Sequence, residues 1–470
     1  MKSNIKDKGK ILFIYPPSPV LNREDRCQQP TKELLVIPPL PPTDLMYLAS
    51  ISEQCGLEAK IKDYSLGGNL IEDLNSFQPD YLLANIATPT FKSDMEALAL
   101  AKSILPNLII IVKGAPFLLY NTNVVYEYPF IDYVILGEPE LTLKEILEGV
   151  PNNEILGICY QENMQGTKNA LRPFNENLDE LPFPARHLVD NSIYKRPDNG
   201  KIQAVIKVSR GCPYHCFFCL ATPVSGSKVR MRSAENIIEE IKECIEKYNI
   251  KNFLFWSDIF NFDREWTINL CKKIIDSGLK FTWSSNTRAN TMDDDMAKLM
   301  YKAGCRLVSI GVESGSQEIL NNIVKKISID EIRNTVKILK KNKIKIYNYF
   351  VIGLPWETEK TIKETIKFAI ELESDFISFY TATPLPGTRF FAYAMMNKLV
   401  EGQLNFDNAY YYPSIRAHEL TKERIFELHK EAVKKYYLRP KFIIKTLLGL
   451  RTFTELKNYF LAGINLIMKK

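Results

Sequence analysis

The chain has 470 residues, 46% of them hydrophobic and 25% charged, with a net charge of +6. That length predicts about three domains, and the composition excludes a fibrous or disordered chain. The small basic excess is interleaved with acids, as in ENIIEEIKECIEKY, which argues against a nucleic-acid footprint. The start, MKSNIKDKGK, is charged and lacks the apolar core and small-residue cleavage site of a signal peptide, so a cytoplasmic location is expected.

KILFIYPP (10–17) reads as a buried strand ending in a proline loop. TDLMYLASISEQCG (43–56) reads as a helix with Thr43 as N-cap and Gly56 just past its end. Strands follow at 58–65, 80–90, 107–117 and 132–140, separated by helical stretches such as SDMEALALAKSIL. This alternation predicts a doubly wound parallel sheet over residues 1–150, and in such sheets ligands sit outside the carboxyl ends of the strands. Those ends are Tyr15–Pro19, Ala87–Thr90, Lys113–Ala115 and Gly137–Glu138. The region reads as a binding domain. It holds no Gly-x-Gly-x-x-Gly and no phosphate-loop lysine, which disfavours a nicotinamide or a nucleoside triphosphate.

Residues 151–200 read as a hairpin and a linker, in which Pro182 and Pro184 forbid a continuous helix and mark a boundary. A second alternation begins at 201. Strands are expected at 203–209, 251–257, 280–285, 306–312, 345–353 and 375–381, with helices at 233–248, 265–277, 293–303, 330–341 and 358–372. Six β/α units over 201–395 predict a partial parallel barrel, whose chemistry gathers at the C-terminal ends of the strands. A helical region, 396–470, completes the chain. Its tail, 440–470, is apolar with recurring Lys and Arg, and its longest uncharged run, Asn458–Met468, is shorter than the ~20 residues that span a bilayer. The tail is expected to cap the end of the barrel; a place on a membrane surface is the alternative. Tyr380 and the tyrosines at 410–412 read as packing residues, or else as the lining of a substrate pocket.

Three of the nine cysteines, Cys212, Cys216 and Cys219, lie in one short loop directly after the first barrel strand. The others are scattered singly through apolar segments, as buried small side chains are, and a disulfide framework is unexpected in a reducing compartment. A structural zinc wants four ligands in two close pairs; here it would need a distant fourth such as Cys305. A redox pair at Cys216 and Cys219 would leave the third thiol without a role. Three thiolates in a tight loop suit an iron–sulfur cubane with one iron left open, and Gly211 and Pro213 help so short a loop turn.

Cys212-x-x-x-Cys216-x-x-Cys219, with Phe218 before the third cysteine, resembles the signature of the radical S-adenosylmethionine (radical SAM) enzymes. Further matches fall in order at successive strand ends: FWSDIF (255–260), WSSNTR (283–288), SIGVESGS (309–316), FVIGLPWET (350–358) and TPLPGT (383–388). The sheet domain with LPFPARHL resembles the cobalamin-binding members, in particular the anaerobic magnesium-protoporphyrin IX monomethyl ester cyclase-like group. The resemblance implies a flavodoxin-like, cobalamin-binding α/β sheet followed by a partial (β/α)6 radical SAM barrel.

It also implies a [4Fe-4S] cluster on Cys212, Cys216 and Cys219, whose open iron chelates S-adenosylmethionine. Reductive cleavage then gives a 5′-deoxyadenosyl radical that takes hydrogen from a small-molecule organic substrate, expected to be bulky. The electron would come from a donor such as a flavodoxin or ferredoxin. For S-adenosylmethionine the resemblance points to Phe218 and Gly353 near the adenine, and to Asp258 at the ammonium. Asn286 and Arg288 would stand toward the methionine carboxylate, and Glu313 toward the ribose. For cobalamin it points to Thr88, Thr90, Gly114 and Glu138. No histidine precedes His187, so the Asp-x-His-x-x-Gly mode of cobalt ligation cannot operate. Two outcomes follow from the resemblance, methyl transfer to carbon and oxidative ring formation. The competing reading is a non-catalytic binding protein stabilised by zinc or by a cluster.

Overall fold

The computed structural model describes residues 9–25, 27–30, 39–118, 122–162, 165–196, 199–402, 404, 406, 412–450, 452 and 455–461. These fall into two compact units, one of residues 9–30, 41–190 and 223–225, the other of the remainder.

The first unit carries strands β1 (Lys10–Tyr15), β2 (Leu21–Glu24), β3 (Cys27–Pro30), β4 (Glu58–Asp63), β5 (Tyr81–Asn85), β6 (Ile109–Lys113), β7 (Tyr133–Ile135), β8 (Ile158–Glu162) and β9 (Gln165–Lys168). Seven of them form one sheet in the order β4-β1-β5-β6-β7-β8-β9. The first five pair in parallel, so the central strand order reverses at β1, while β8 and β9 add an antiparallel hairpin at the edge. Side-chain alternation builds the two layers around the sheet. Leu12 and Ile14 face a core with Leu74 and Leu98, whereas Ile11 and Phe13 face one with Leu45 and Leu143. Strands such as Ile109–Lys113 are apolar along their length because helices cover both faces.

Thr43 is not the N-cap of its helix. Pro42 holds that position, and the Thr43 hydroxyl donates to the Pro41 carbonyl at 3.1 Å. The two prolines turn the chain, so the hydroxyl meets a carbonyl instead of the helix's first free amides. Gly56 does follow the helix end, with φ of +87°. The pair β2–β3, unforeseen in the sequence, is an antiparallel ribbon that buries Asn22, Arg23 and Gln28.

The second unit carries β10 (Ala204–Lys207), β11 (Ser209–Arg210), β12 (Arg230–Met231), β13 (Asn252–Trp256), β14 (Thr282–Thr287), β15 (Cys305–Glu313), β16 (Lys345–Ile352) and β17 (Phe376–Thr381). Six of these form an all-parallel sheet in chain order, β10-β13-β14-β15-β16-β17. Helices Ala234–Tyr248, Arg264–Asp276, Asp294–Lys302, Ile329–Lys341 and Glu359–Leu372 cross between them. Capping residues start them: Ser233 accepts from Asn236 N, and Ser328 and Glu331 form a capping box. Helix Lys422–Tyr437 packs Ile425 and Leu428 into the same core.

Tyr459 of the tail packs with Leu307, Tyr347 and Phe376 at the N-terminal ends of the strands. Helix Pro440–Gly449 is different, for it leaves Ile444, Leu447 and Leu448 exposed. Tyr410, Tyr411 and residues 462–470 lie outside the described residues, as does the Cys27 side chain. No helix among the described residues is long and apolar enough to cross a membrane. Cys159, Cys244, Cys271 and Cys305 are buried and in no disulfide, and Cys55 is half-exposed.

Candidate functional site

The loop with three cysteines begins where β11 and β12 form a two-residue ribbon. Gly211, at φ of +99°, takes a conformation few other residues adopt, and its N–H donates to Asp258 Oδ2 at 2.7 Å. The end of β13 thus holds the start of the loop. Cys212 N donates to Gly226 O at 3.0 Å, and Cys219 N donates to Cys216 O at 3.2 Å. Thr222 Oγ1 donates toward the carbonyls of Cys212 and Tyr214 at 3.3 and 3.1 Å. With its backbone fixed this way, the loop keeps Cys212, Cys216 and Cys219 half-buried and free of disulfides. Ala221 N donates to Cys219 Sγ at 3.4 Å.

Phe217, between two of the cysteines, is the anchor. Its N–H donates to Ile323 O and its carbonyl accepts from Phe390 N, each at 3.0 Å. Its ring is 5% exposed and stands 4.9 Å from Trp356, 5.2 Å from Phe390 and 5.6 Å from Tyr393, centroid to centroid. Phe218 is only partly buried against the same core. The phenylalanine that fixes the loop is therefore the neighbour of the one singled out in the sequence.

The donor set fits an iron–sulfur cluster: three soft sulfur ligands on one constrained loop, partly open on one side. It does not fit a zinc clip. Cys305, the distant fourth zinc ligand considered above, is fully buried at the N-terminal end of β15. The cysteine loop follows the C-terminal end of β10, at the opposite end of the parallel sheet.

The other strand ends supply polar groups. Asn286 Nδ2 donates to Ser257 O at 2.9 Å, tying β14 to the end of β13. Arg288 is 6% exposed; it donates to Asn290 Oδ1 at 3.0 Å and to Lys326 O at 3.1 Å, and lies 3.7 Å above the Tyr214 ring. A cation on an aromatic face is stabilised by the ring quadrupole. Glu313, at φ of +66°, accepts from Lys325 Nζ at 2.6 Å. Gly353, at φ of +94°, faces Ile425: a Cβ there would lie 2.8 Å from Ile425 Cγ2. Its N–H and that of Leu354 donate to Glu357 Oε2 at 2.6 and 2.9 Å. Glu357 is wholly buried, and that burial pushes its carboxyl up to about 7 against the pull of the two amides.

In the first unit, the ribbon β2–β3 reaches the carboxyl ends of the sheet. Arg23 makes a fork with Asp94, at 2.7 and 2.9 Å, and both side chains are fully buried. Thr90 Oγ1 donates to the same carboxylate at 2.9 Å. Lys113 Nζ lies 3.0 Å from Asp44 and 3.2 Å from Asp25. Burial pulls its pKa down, but the two carboxylates outweigh this and raise it.

Thr88 N donates to Gln28 Oε1 at 2.7 Å, while Thr88 Oγ1 and Asn85 Oδ1 are buried without a hydrogen-bond partner. Gly114, at φ of +141°, admits the carbonyl of Ile86 into the space a Cβ would take. Glu138 Oε2 accepts from Asn175 N at 2.8 Å. Thr88, Thr90 and Gly114 thus gather at the carboxyl ends of the central strands β5 and β6, and two orphaned polar atoms there fit the polar rim of a ligand. Tyr214, Phe217, Lys325 and Glu357 went unread in the sequence. Only the position of Phe217 and Tyr214 inside the cysteine loop could have pointed to them.

Residues 206–369 match the radical SAM superfamily. An uncharacterized methyltransferase of Pyrococcus horikoshii is 33% identical over 440 residues, covering 88% of this chain and 94% of that protein. The anaerobic magnesium-protoporphyrin IX monomethyl ester cyclase of Cereibacter sphaeroides is 25% identical over 368 residues, covering 75% of this chain and 60% of the cyclase. Among solved structures, the cobalamin-dependent S-adenosylmethionine radical enzyme OxsB, with aqua-cobalamin and S-adenosylmethionine bound, superposes with a TM-score of 0.73 at 17% identity. That match covers 98% of this chain and 71% of OxsB.

Proposed function

This chain belongs to the radical SAM superfamily, and on that premise we propose that it is a cobalamin-dependent methyltransferase acting on a small organic molecule. The observation that carries the reading is the constrained loop with three half-buried thiols, none in a disulfide, after the first strand of an all-parallel β/α unit. The near full-length methyltransferase relative supports methyl transfer over ring formation.

Cys212, Cys216 and Cys219 would hold the [4Fe-4S] cluster. Bound there, the cluster supplies the electron that cleaves S-adenosylmethionine, and cobalamin supplies a carrier for the methyl group. The chain's own residues bind and orient. Arg288, fixed by Asn290, Lys326 and the Tyr214 ring, presents a guanidinium to a carboxylate. Glu313 offers acceptor oxygens to ribose hydroxyls, and Asn286 braces the strand end beside them. Asp258 positions the cysteine loop through Gly211 N while facing the ammonium. Phe218 and the turn at Gly353 flank the adenine.

In the sheet unit, a flavodoxin-like strand order presents Thr88, Thr90, Gly114 and Glu138 to cobalamin. Thr88 Oγ1 and Asn85 Oδ1 would gain partners from it. Cobalt ligation by an Asp-x-His-x-x-Gly loop is not available to this unit, since no histidine precedes His187. A flavodoxin or ferredoxin would donate the electron. The exposed apolar residues of helix Pro440–Gly449, with Lys441 and Lys445 among them, suit a peripheral membrane contact.

The test is anaerobic reconstitution with iron, sulfide, hydroxocobalamin and a low-potential reductant, followed by S-adenosylmethionine labelled in its methyl group. S-adenosylhomocysteine together with label on the corrinoid is the expected result. A protein that retains no corrinoid would require the sheet unit to be reassigned, and cleavage without methyl transfer would favour ring formation.

A further inference from the structure

Lys325 belongs to no segment that marks the family, yet the structure spends unusual backbone on it. The residues on either side, Val324 and Lys326, have φ of +55° and +51°. For a β-branched valine that conformation is a genuine outlier, kept only where the surroundings over-determine it. The loop is pinned on several sides. Lys325 N donates to Leu320 O at 2.9 Å, Val324 N donates to Asn321 O at 3.0 Å, and Ile323 O accepts from Phe217 N. Arg288 Nη2 donates to Lys326 O. One short segment therefore grips both the cysteine loop and the arginine of the next strand end.

What the strained loop delivers is an ammonium. Lys325 is 8% exposed, and its Nζ meets Glu313 Oε1 at 2.6 Å. Glu313 itself has a left-handed backbone. Gly311 is open on the side where they meet: a Cβ there would lie 2.9 Å from Lys325 Nζ and closer still to Glu313 Oε1. Three left-handed non-glycine residues and one glycine thus converge on a single buried pair. A buried ion pair is weak evidence for stability, because desolvation of the two charges offsets their attraction. Strain accumulated around such a pair calls for another reason. The Phe217 N–H, one residue past Cys216, donates to Ile323 O at 3.0 Å, so this segment is fastened to the cysteine loop itself.

The geometry points to Lys325 as a positioning residue that holds a fixed positive charge beside the cysteine loop and aims the Glu313 carboxylate. This rests on the reading that the loop carries a cluster. A fixed cation near a cluster favours its reduced, more negative state, since local charge and hydrogen bonding set such potentials. Glu313 in turn keeps the ammonium from competing for the ligand's carboxylate, which is left to Arg288.

The test uses the full chain, reconstituted anaerobically, with the cluster's potential followed by EPR in a redox titration without S-adenosylmethionine. Lys325→Met should carry the wild-type content of iron and sulfide, shift the potential downward and bind S-adenosylmethionine at least tenfold more weakly. Lys325→Arg should return the potential toward wild type. A merely structural lysine would move the melting temperature and leave the potential in place. If Lys325→Met fails to fold, Glu313→Gln makes the opposite prediction, a potential above that of wild type. A folded Lys325→Met with unchanged potential and affinity overturns the proposal, and so does an unmoved Glu313→Gln. A wild-type chain that takes up no cluster overturns the underlying reading, and the proposal with it.

Discussion

Replacing Glu357 by Gln isolates one buried charge. The carboxyl is fully buried and accepts two backbone N–H groups, from Gly353 and Leu354, in the turn that carries Trp356 onto Phe217. A glutamine amide oxygen can accept the same two bonds but cannot ionise. Burial lifts the folded-state value from 4.5 to about 7. At ~1.36 kcal/mol per pH unit, the charged form costs the fold about 3 kcal/mol. The sign follows from proton uptake: the folded state holds the proton more tightly than the unfolded chain. The contribution is complete below about pH 4.5 and is lost as pH rises through about 7. The glutamine variant should therefore gain on wild type by about 3 kcal/mol between pH 5 and pH 8. Urea unfolding followed by tryptophan fluorescence is the assay, because Trp256, Trp266, Trp283 and Trp356 all lie in the second unit. A difference between the two proteins that stays flat across that range would refute the reasoning.

In the first unit, Asp94→Ala leaves Arg23 buried without its carboxylate and should cost about 3–5 kcal/mol by far-ultraviolet circular dichroism. Replacing Arg23 and Asp94 together by apolar residues should cost much less. Gly114→Ala forces a Cβ onto the Ile86 carbonyl at a positive φ, and should lower stability by more than about 1 kcal/mol with reduced cobalamin retention on gel filtration. Phe217→Ala empties the centre of an aromatic cluster; a loss of about 3–5 kcal/mol is expected, with faster release of iron under a chelator.

The regular elements were legible because their periodicity is strong. Ile109–Val112 could only be a covered parallel strand, and Ile329–Lys341 shows its apolar stripe and its Ser328 cap without help from the structure. The three cysteines were legible because their spacing is local. What could not be read were pairings between distant residues. Arg23 and Asp94 lie 71 positions apart, and nothing in VLNREDRCQQP announces that its polar residues are buried. Lys325 hides for a related reason. Its partner is only 12 positions away, but a left-handed valine in between carries it there, against the ordinary preference of that residue. At Thr43 the local rule failed because two prolines had already set the turn.

The measurement that bears most directly on the account is S-adenosylmethionine cleavage by the anaerobically reconstituted chain in the presence of a low-potential reductant, compared with Cys216→Ala. The account predicts 5′-deoxyadenosine from the wild-type chain, together with a full cluster's iron and sulfide, and neither from the variant. Cleavage that persists without Cys216, or a wild-type loop that binds only zinc and cleaves nothing, would contradict it.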